Sequence, residues 1–444
     1  MSVSVGFISL GCSKNLVDSQ VMAGYLKAGA IALAPSPEEA DVVLINTCAF
    51  IESAREEAAG AILRACAHKE RGGCRAVIVA GCMVQRYRSR LKAAFPGVDA
   101  FLGIDELERI GEVVGNVAKG KRCGVIAARG MPVKCYKPPY PTLLFTGGPF
   151  AYLKIAEGCD HRCAYCAIPN IRGAYRSRSE DELVHEAQAM VRAGVREINL
   201  ISQDTLRYGT DRGGKSAIVP LIRRLDRIRG AFRIRLLYGY PAGVTKELLH
   251  VMNTSHHVCW YLDLPIQHSH PEILRAMRRG KAVAATQDLA ARLRQTVPGL
   301  VLRTTCLVGF PGETETHFEH LMEYVERSAF DHLGVFAFSP EEGTPAAAMG
   351  GTPSRKVAEE RCARLMRLQR RIVRRRVRDL TGREDTVLLL RRTKTGWVGR
   401  LPRQAPDVDG ETHVSHVPRQ AKVGDFVRVE ITGGRGYDLM ARAV

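Results

Sequence analysis

The sequence predicts an α/β protein of three parts in series. These are an N-terminal doubly wound parallel sheet, a central partial (β/α) barrel and a small C-terminal antiparallel β barrel. Three observations predict it. Short apolar, β-rich runs alternate with helix-compatible stretches through the first third, and the alternation resumes six-fold after a proline- and glycine-rich interruption. The last part holds only short strand-like runs with glycines between them. Domain boundaries are expected at 1–135, 145–380 and 381–444.

In the first part, Val3–Leu10, Asp41–Thr47 and Arg75–Ala80 read as strands, with Asn15–Ala28 and Glu52–His68 among the helical stretches that follow. Each strand runs into a cysteine: Cys12, Cys48 and Cys82. Open α/β sheets bind ligands beyond the carboxyl ends of their strands, so the three thiols are candidates for one ligand set. Gly11 and Gly81 beside them permit close backbone approach. Any one of the three alone would read as an ordinary buried small residue; the equivalence of their positions points to ligation.

From Gly124 to Pro149 the periodicity stops, and Pro132, Pro138, Pro139, Pro141 and Gly147-Gly148 mark a linker. Six candidate strands follow: Ala151–Glu157, Glu197–Ser202, Arg233–Tyr238, Trp260–Pro265, Val301–Val308 and His332–Phe338. Helical stretches such as Glu180–Ala193, Ile218–Ile228 and Pro271–Arg278 separate them. Barrels of this kind keep their active site at the strand carboxyl ends. Pro353–Leu380 reads as an arginine-dense helix, either a solvated face or a nucleic-acid surface. Short strands at Thr386–Arg391, Trp397–Leu401, Glu411–Val414, Phe426–Ile431 and Asp438–Arg442 complete the chain.

Composition bounds the function. The 444 residues, 45% apolar, suit a globular protein of two to four domains. The first residues lack a basic leader with an apolar stretch, and no apolar run approaches the roughly 18 residues of a membrane span, so a cytoplasmic protein without membrane contact is expected. A net charge of +19 fits an acidic partner such as RNA or a ribosome, or simply an arginine-rich proteome. Thirteen cysteines in that setting point to metal or redox chemistry ahead of disulfides. Cys66, Cys74, Cys123, Cys135, Cys259, Cys306 and Cys362 have no ligand spacing and are expected to be buried small residues.

The sharpest motif is Cys159-x3-Cys163-x2-Cys166, directly after the first barrel strand. Three thiolates at this spacing hold three irons of a cubane cluster and leave the fourth iron open to a chelating group. Zinc with His161 as fourth ligand is the alternative, though His161 lies only two residues from Cys159 and Cys163. Other strand ends offer Gln203 and Asp204, then Gln267 and His268, then the turn Gly309-Phe310-Pro311-Gly312-Glu313-Thr314. Each of these also reads as a plain loop residue.

The three-cysteine motif, with Tyr165 before its last cysteine, resembles the radical S-adenosylmethionine (SAM) superfamily. That resemblance implies a four-iron, four-sulfur (4Fe-4S) cluster on Cys159, Cys163 and Cys166 whose open iron binds SAM and cleaves it to a 5′-deoxyadenosyl radical. Tyr165 would lie near the adenine, and Gln203, Asp204, Gln267, His268, Gly309, Gly312 and Glu313 would be SAM-site candidates. Over essentially the whole chain, the order of parts resembles the methylthiotransferase family. This implies a second 4Fe-4S cluster on Cys12, Cys48 and Cys82, and a TRAM-like tail.

Within that family several stretches resemble the RimO-type branch, which acts on an aspartate of small-subunit ribosomal protein S-twelve. They are Ile8–Asn15, Asn46–Ile51, Ile201–Thr205, Asp263–His268 and Ser339–Pro345. Ser13, Cys306 and Ala174 depart from the residues common there, and none is a cluster ligand. The implied reaction places a methylthio group on the aspartate β-carbon, with SAM as methyl donor and radical source and with separate sulfur and electron donors. The tail carries eleven Lys/Arg against eight Asp/Glu, so Glu384, Asp385, Asp407 and Asp409 would have to gather on one face to meet a basic protein. The alternatives are a tRNA adenosine methylthiotransferase (MiaB-like) and a nucleic-acid-binding protein with purely structural clusters.

Overall fold

A computed structural model describes residues 3–126 and 145–444. The first apolar runs become β1 (Ser4–Ser9), β3 (Val42–Thr47) and β4 (Ala76–Gly81). With β2 (Ala32–Leu33), β5 (Ala100–Leu102) and β6 (Val125–Ile126) they form one parallel sheet in the order β2-β1-β3-β4-β5-β6. Every residue of β3 and β4 is buried, as a parallel sheet covered on both faces requires. Val43, Ile45, Val77 and Val79 pack with the helices Glu52–Glu70 and Cys82–Tyr87. Their alternates Val42, Leu44, Ala76 and Ile78 pack with Ser13–Ala28 and Ile110–Val117. The sheet is therefore doubly wound. Strands β2, β5 and β6, at two or three residues each, are too short to show a periodicity. Most of the proline-rich interruption, including Cys135, lies outside the described residues.

The second series gives β7 (Phe150–Lys154), β10 (Glu197–Ile201), β11 (Arg233–Leu236), β12 (Val258–Asp263), β13 (Val301–Val308) and β14 (His332–Ala337). They form a parallel sheet in sequential order, β14-β13-β12-β11-β10-β7, the partial barrel expected from six βα units. One expected strand divides. Ala151–Glu157 leaves the sheet after Lys154, and β8 (Ala156–Glu157) pairs instead with β9 (Arg176–Ser177). The break turns Glu157 back onto Lys154 and Arg172, and the β8–β9 pair closes the base of the cysteine loop.

The helix Arg355–Leu380 buries Leu365, Leu368 and Ile372 in the barrel core, and Gln369 Nε2 donates to Phe330 O at 2.9 Å. After it, β15 (Glu384–Thr393), β16 (Gly396–Arg400), β17 (Thr412–Ser415), β18 (Phe426–Arg435) and β19 (Asp438–Ala443) close a barrel in the order β15-β16-β17-β19-β18. Its pairings are antiparallel except that closure runs through the parallel pair β17–β19. The expected single acidic face is not formed. Asp409 is buried against the central sheet, taking Tyr261 Oη at 2.7 Å and Arg303 Nη1 at 3.1 Å, and Asp407 takes Tyr152 Oη at 2.5 Å. Glu384 is spent on Arg428 at the surface. These carboxylates are needed where the barrel docks. Of the seven remaining cysteines, Cys66, Cys74, Cys259 and Cys306 are buried as expected, whereas Cys123 and Cys362 are half-buried.

The same docking surface holds Glu197, the first residue of β10, between Arg400 Nε at 3.1 Å and Arg235 Nη2 at 3.2 Å, all three buried. Burial alone would raise the Glu197 carboxyl, but the two guanidiniums outweigh it and hold the group below the usual carboxylate range. A depressed folded pKa stabilises fully above the unfolded value and is lost as pH falls through the folded one. Glu197→Gln should therefore cost about 3–5 kcal/mol near neutral pH by leaving two buried cations underpaired. Denaturant melts should show this difference shrinking as pH drops below about 4.5, the ordinary glutamate value; a pH-independent difference would reject the assignment.

Candidate active site

Both cysteine sets lie beyond the carboxyl ends of the two parallel sheets. Cys12 ends the loop after β1, Cys48 directly follows β3, and Cys82 directly follows β4 as the first residue of its helix. Gly11, at φ +92°, lets two of these loops touch: a side chain there would put its Cβ 2.7 Å from Cys48 Cβ. Gly81, at φ +95°, would meet Asn46 Oδ1 at 2.2 Å in the same way. Asn15 Nδ2 donates to Leu10 O at 3.1 Å and Thr47 O at 3.0 Å, and Cys82 Sγ lies 3.4 Å from Asn15 Oδ1.

Burial pushes the Cys82 thiol up to about 12, with the Cys12 and Cys48 thiols raising it further, and burial also raises Cys48. Such thiols hold their protons in neutral water and release them to a cation of high charge. The donor set fits an iron–sulfur cluster. Among the described residues all cysteines are free.

The second set is tighter in sequence. Cys159 N donates to Gly173 O at 3.1 Å and Cys166 N to Cys163 O at 3.0 Å. Gly158, at φ +79°, passes so close to Ala174 that a Cβ would lie 2.0 Å from its carbonyl oxygen. Burial pushes Cys159 up to about 11 and Cys166 up to about 12. Buried Arg279 stands over them, with Nη1 3.6 Å from Cys163 Sγ and 3.4 Å from Tyr165 Oη, and with Nη2 donating to Pro265 O at 2.7 Å. A cation beside the thiols suits a ligand set that carries net negative charge once the metal is bound. The zinc alternative loses its fourth ligand: His161 Nε2 is 2.6 Å from Asp204 Oδ2, and its ring stacks on Tyr240 at 4.0 Å.

A cavity of about 660 Å³ opens beside this loop. Tyr165, Gln267 and Gly309 line it, with Leu307 and Phe338 adding apolar wall. Gln267 holds a left-handed conformation, φ +69°, while bridging to Thr305 O and Leu307 N. The other five SAM-site candidates sit behind the wall. Gln203 Nε2 donates to Glu157 at 2.9 Å, and Asp204 accepts from His161, Leu206 N and Tyr240 N. His268 is fully buried, its Nδ1 accepting from His270 N, and burial lowers it to about 3, so it is neutral. Glu313 pairs with Arg361 at 2.9 Å, and Gly312 N donates to Gly351 O.

The far wall belongs to the first sheet. Phe50, Ile51, Glu52 and Ser53, immediately after Cys48, line the same cavity. Glu341, beyond β14, clamps the two parts by accepting from Arg86 Nη1 at 2.8 Å and from Arg55. Deeper in the junction, Arg172 is 1% exposed and reaches Glu157 at 2.9 Å, Asp18 at 3.0 Å, Asn15 Oδ1 at 2.6 Å and Cys82 Sγ at 3.2 Å. Lys154 adds a second cation, bonded to Asp18 and to Glu157 at 2.7 Å. Burial would raise Glu157, but Arg172 and Lys154 hold it well below the carboxylate range. Sequence reading misses this cluster. Its one signal is Lys154, a charge at the end of the otherwise apolar run Phe150–Leu153.

Comparison with known proteins agrees with this layout. Residues 4–103 match a family described as uncharacterized protein family UPF0004, residues 153–325 the radical SAM superfamily, and residues 381–444 the TRAM domain. The chain is 43% identical over 443 residues to ribosomal protein uS12 methylthiotransferase RimO of Trichlorobacter lovleyi, covering 99% of this chain and 98% of that one. It is 44% identical over 446 residues to the protein of the same name from Symbiobacterium thermophilum, covering 99% and 91%. Among solved structures, the radical SAM methyltransferase TsrM of Kitasatospora setae, with cobalamin and a 4Fe-4S cluster bound, superposes with a TM-score of 0.57 at 14% identity, covering 78% and 77%. That likeness speaks to the fold. With a three-cysteine radical SAM loop, a preceding sheet that gathers three further cysteines and near-complete alignment at more than 40% identity, the chain belongs to the RimO family of radical SAM methylthiotransferases.

Proposed function

We propose that this protein places a methylthio group on the β-carbon of an aspartate of small-subunit ribosomal protein S-twelve, using two 4Fe-4S clusters and SAM. Cys159, Cys163 and Cys166 would hold one cluster, and Cys12, Cys48 and Cys82 the other. The observation that carries the reading is the shared cavity, with the loop of Cys166 on one side and the loop after Cys48 on the other. When bound, the clusters and SAM supply radical formation, sulfur and methyl, chemistry that no side-chain base can perform on an unactivated C–H bond.

The chain's own residues bind, orient and shield. Apolar Phe50, Ile51, Leu307 and Phe338 keep water from the reacting carbon. Tyr165, Gln267 and Gly309 are the proposed SAM contacts, while Gln203, Asp204, His268, Gly312 and Glu313 hold the loops that present them. Arg355 is the cation among the lining residues, paired with Glu359 in an exposed 2.8 Å contact that a substrate carboxylate can replace. That favours an aspartate over a tRNA adenosine. The family relatives, named for uS12, favour it too. Sulfur and electron donors are required partners of this reading.

Anaerobically purified protein should contain about eight irons per chain, and about four after Cys12, Cys48 and Cys82 are all changed to alanine. Cys12→Ala should still release 5′-deoxyadenosine from SAM but yield no methylthiolated product, whereas Cys159→Ala should lose both. Loss of both in folded Cys12→Ala protein would argue against divided labour. Arg355→Gln should raise KM for the protein substrate about tenfold, the loss of one charge-assisted contact, without changing 5′-deoxyadenosine release. In a deletion strain, mass spectrometry should find the modification missing from ribosomal protein S-twelve and retained in tRNA; the reverse pattern selects the tRNA alternative.

A further inference from the structure

The arginines of the helix Arg355–Leu380 fall into two populations. In the first half, Arg355 pairs with Glu359 at 2.8 Å, Arg361 with Glu313 at 2.9 Å, and Arg364 with Glu315. Beyond Leu365 the pattern changes. Arg367, Arg370, Arg371, Arg374, Arg375 and Arg378 are exposed, and among the described residues none has a carboxylate partner. Arg376, on the flank, turns instead to Ala329 O and Asp331. Since Leu365, Leu368, Ile372 and Val373 face the interior, the six form one outward stripe about 16 Å long.

Every member of the stripe has another three or four residues away, a spacing at which like charges destabilise a helix. A helix face that serves only solvation interleaves the two signs. Here the repulsion stands uncompensated, and an external polyanion would relieve it. Between Leu365 and Arg378 every exposed residue is an arginine. Guanidinium forks match phosphate oxygens in pairs. The stripe has no aromatic to stack bases, no apolar ridge to enter a membrane and no anchor of the kind that centres protein interfaces.

We propose that this stripe docks on the phosphate backbone of folded RNA, without base selectivity, so that the enzyme meets its protein substrate beside RNA. The phosphate assignment stands on the stripe alone; the choice of RNA rests on the proposed ribosomal substrate.

The test is anisotropy of a fluorescein-labelled RNA hairpin, and of a DNA hairpin of equal sequence, titrated with full-length protein over a KCl series. Three proteins are compared: wild type, R370Q/R371Q/R374Q/R375Q, and a control, R192Q/R223Q/R227Q/R229Q, that removes equal charge elsewhere. Glutamine keeps helix propensity, so all three should melt alike. The stripe variant should bind RNA at least about tenfold more weakly, with a log–log salt slope about 3 units shallower, at about 0.7 per lost phosphate contact. The control should stay within about threefold of wild type. Equal loss in both variants, or wild-type affinity in the stripe variant, overturns the proposal, and tighter binding of DNA than RNA overturns the choice of RNA. Methylthiolation of isolated ribosomal protein S-twelve is assayed in parallel. Its absence in wild type would sink the substrate reading while the stripe's effect on RNA binding still stood.

Discussion

Arg172 is the contact on which the rest of the molecule depends. Its guanidinium lies almost wholly out of water and is met by two carboxylates, an amide oxygen and a cysteine sulfur drawn from both parallel sheets. With Lys154 opposite, the cluster balances two cations against Asp18 and Glu157, so little net charge is buried. Ion pairs this deep contribute modestly to net stability, because desolvation offsets most of the attraction. What they impose is geometry: an unpaired member would cost several kcal/mol, so the two sheets are held in the one arrangement that pairs all four. That arrangement turns the carboxyl ends of both sheets toward one another.

Facing strand ends explain why the cavity belongs to neither part alone. A parallel sheet offers its loops, and hence its ligands, on one edge. Two such edges opposed across Arg172 set the Cys12/Cys48/Cys82 loops against the Cys159/Cys163/Cys166 loop, with apolar side chains between. The glycines at 11 and 158 serve the same end, since a side chain at either would push the cysteine loops off their neighbours. Charge is used differently at the other end of the barrel. There Glu197, Asp407 and Asp409 dock the C-terminal barrel to the central sheet, which removes them from its outer surface and leaves that surface without the acidic face its composition allowed.

Much of this was legible in the sequence, and for definable reasons. Three strands of the first sheet and all six of the second announce themselves because a parallel strand buried on both faces must be a continuous apolar run. The three-cysteine loop is legible because its ligands are local, and Cys12, Cys48 and Cys82 because each stands at an equivalent strand end. The short strands β2, β5 and β6 carry too few residues for a period, and the division of Ala151–Glu157 depends on where Glu157 finds its cations.

The sequence by itself determined the elements, their order, the six candidate ligands and the family, since each of these is written in local pattern or spacing. Only the tertiary structure decided which polar residues face the cavity and which stand behind it. Gln267 and His268 are adjacent, yet one lines the space and the other is sealed from it. Asp204 and Glu313, polar strand-end residues like Gln267, serve as braces for His161 and Arg361. Arg172, unremarkable in Ile168–Arg172, becomes the joint of the molecule. The physical reason is common to all three cases: a buried charge is defined by its partners, and those partners arrive from strands more than a hundred residues away.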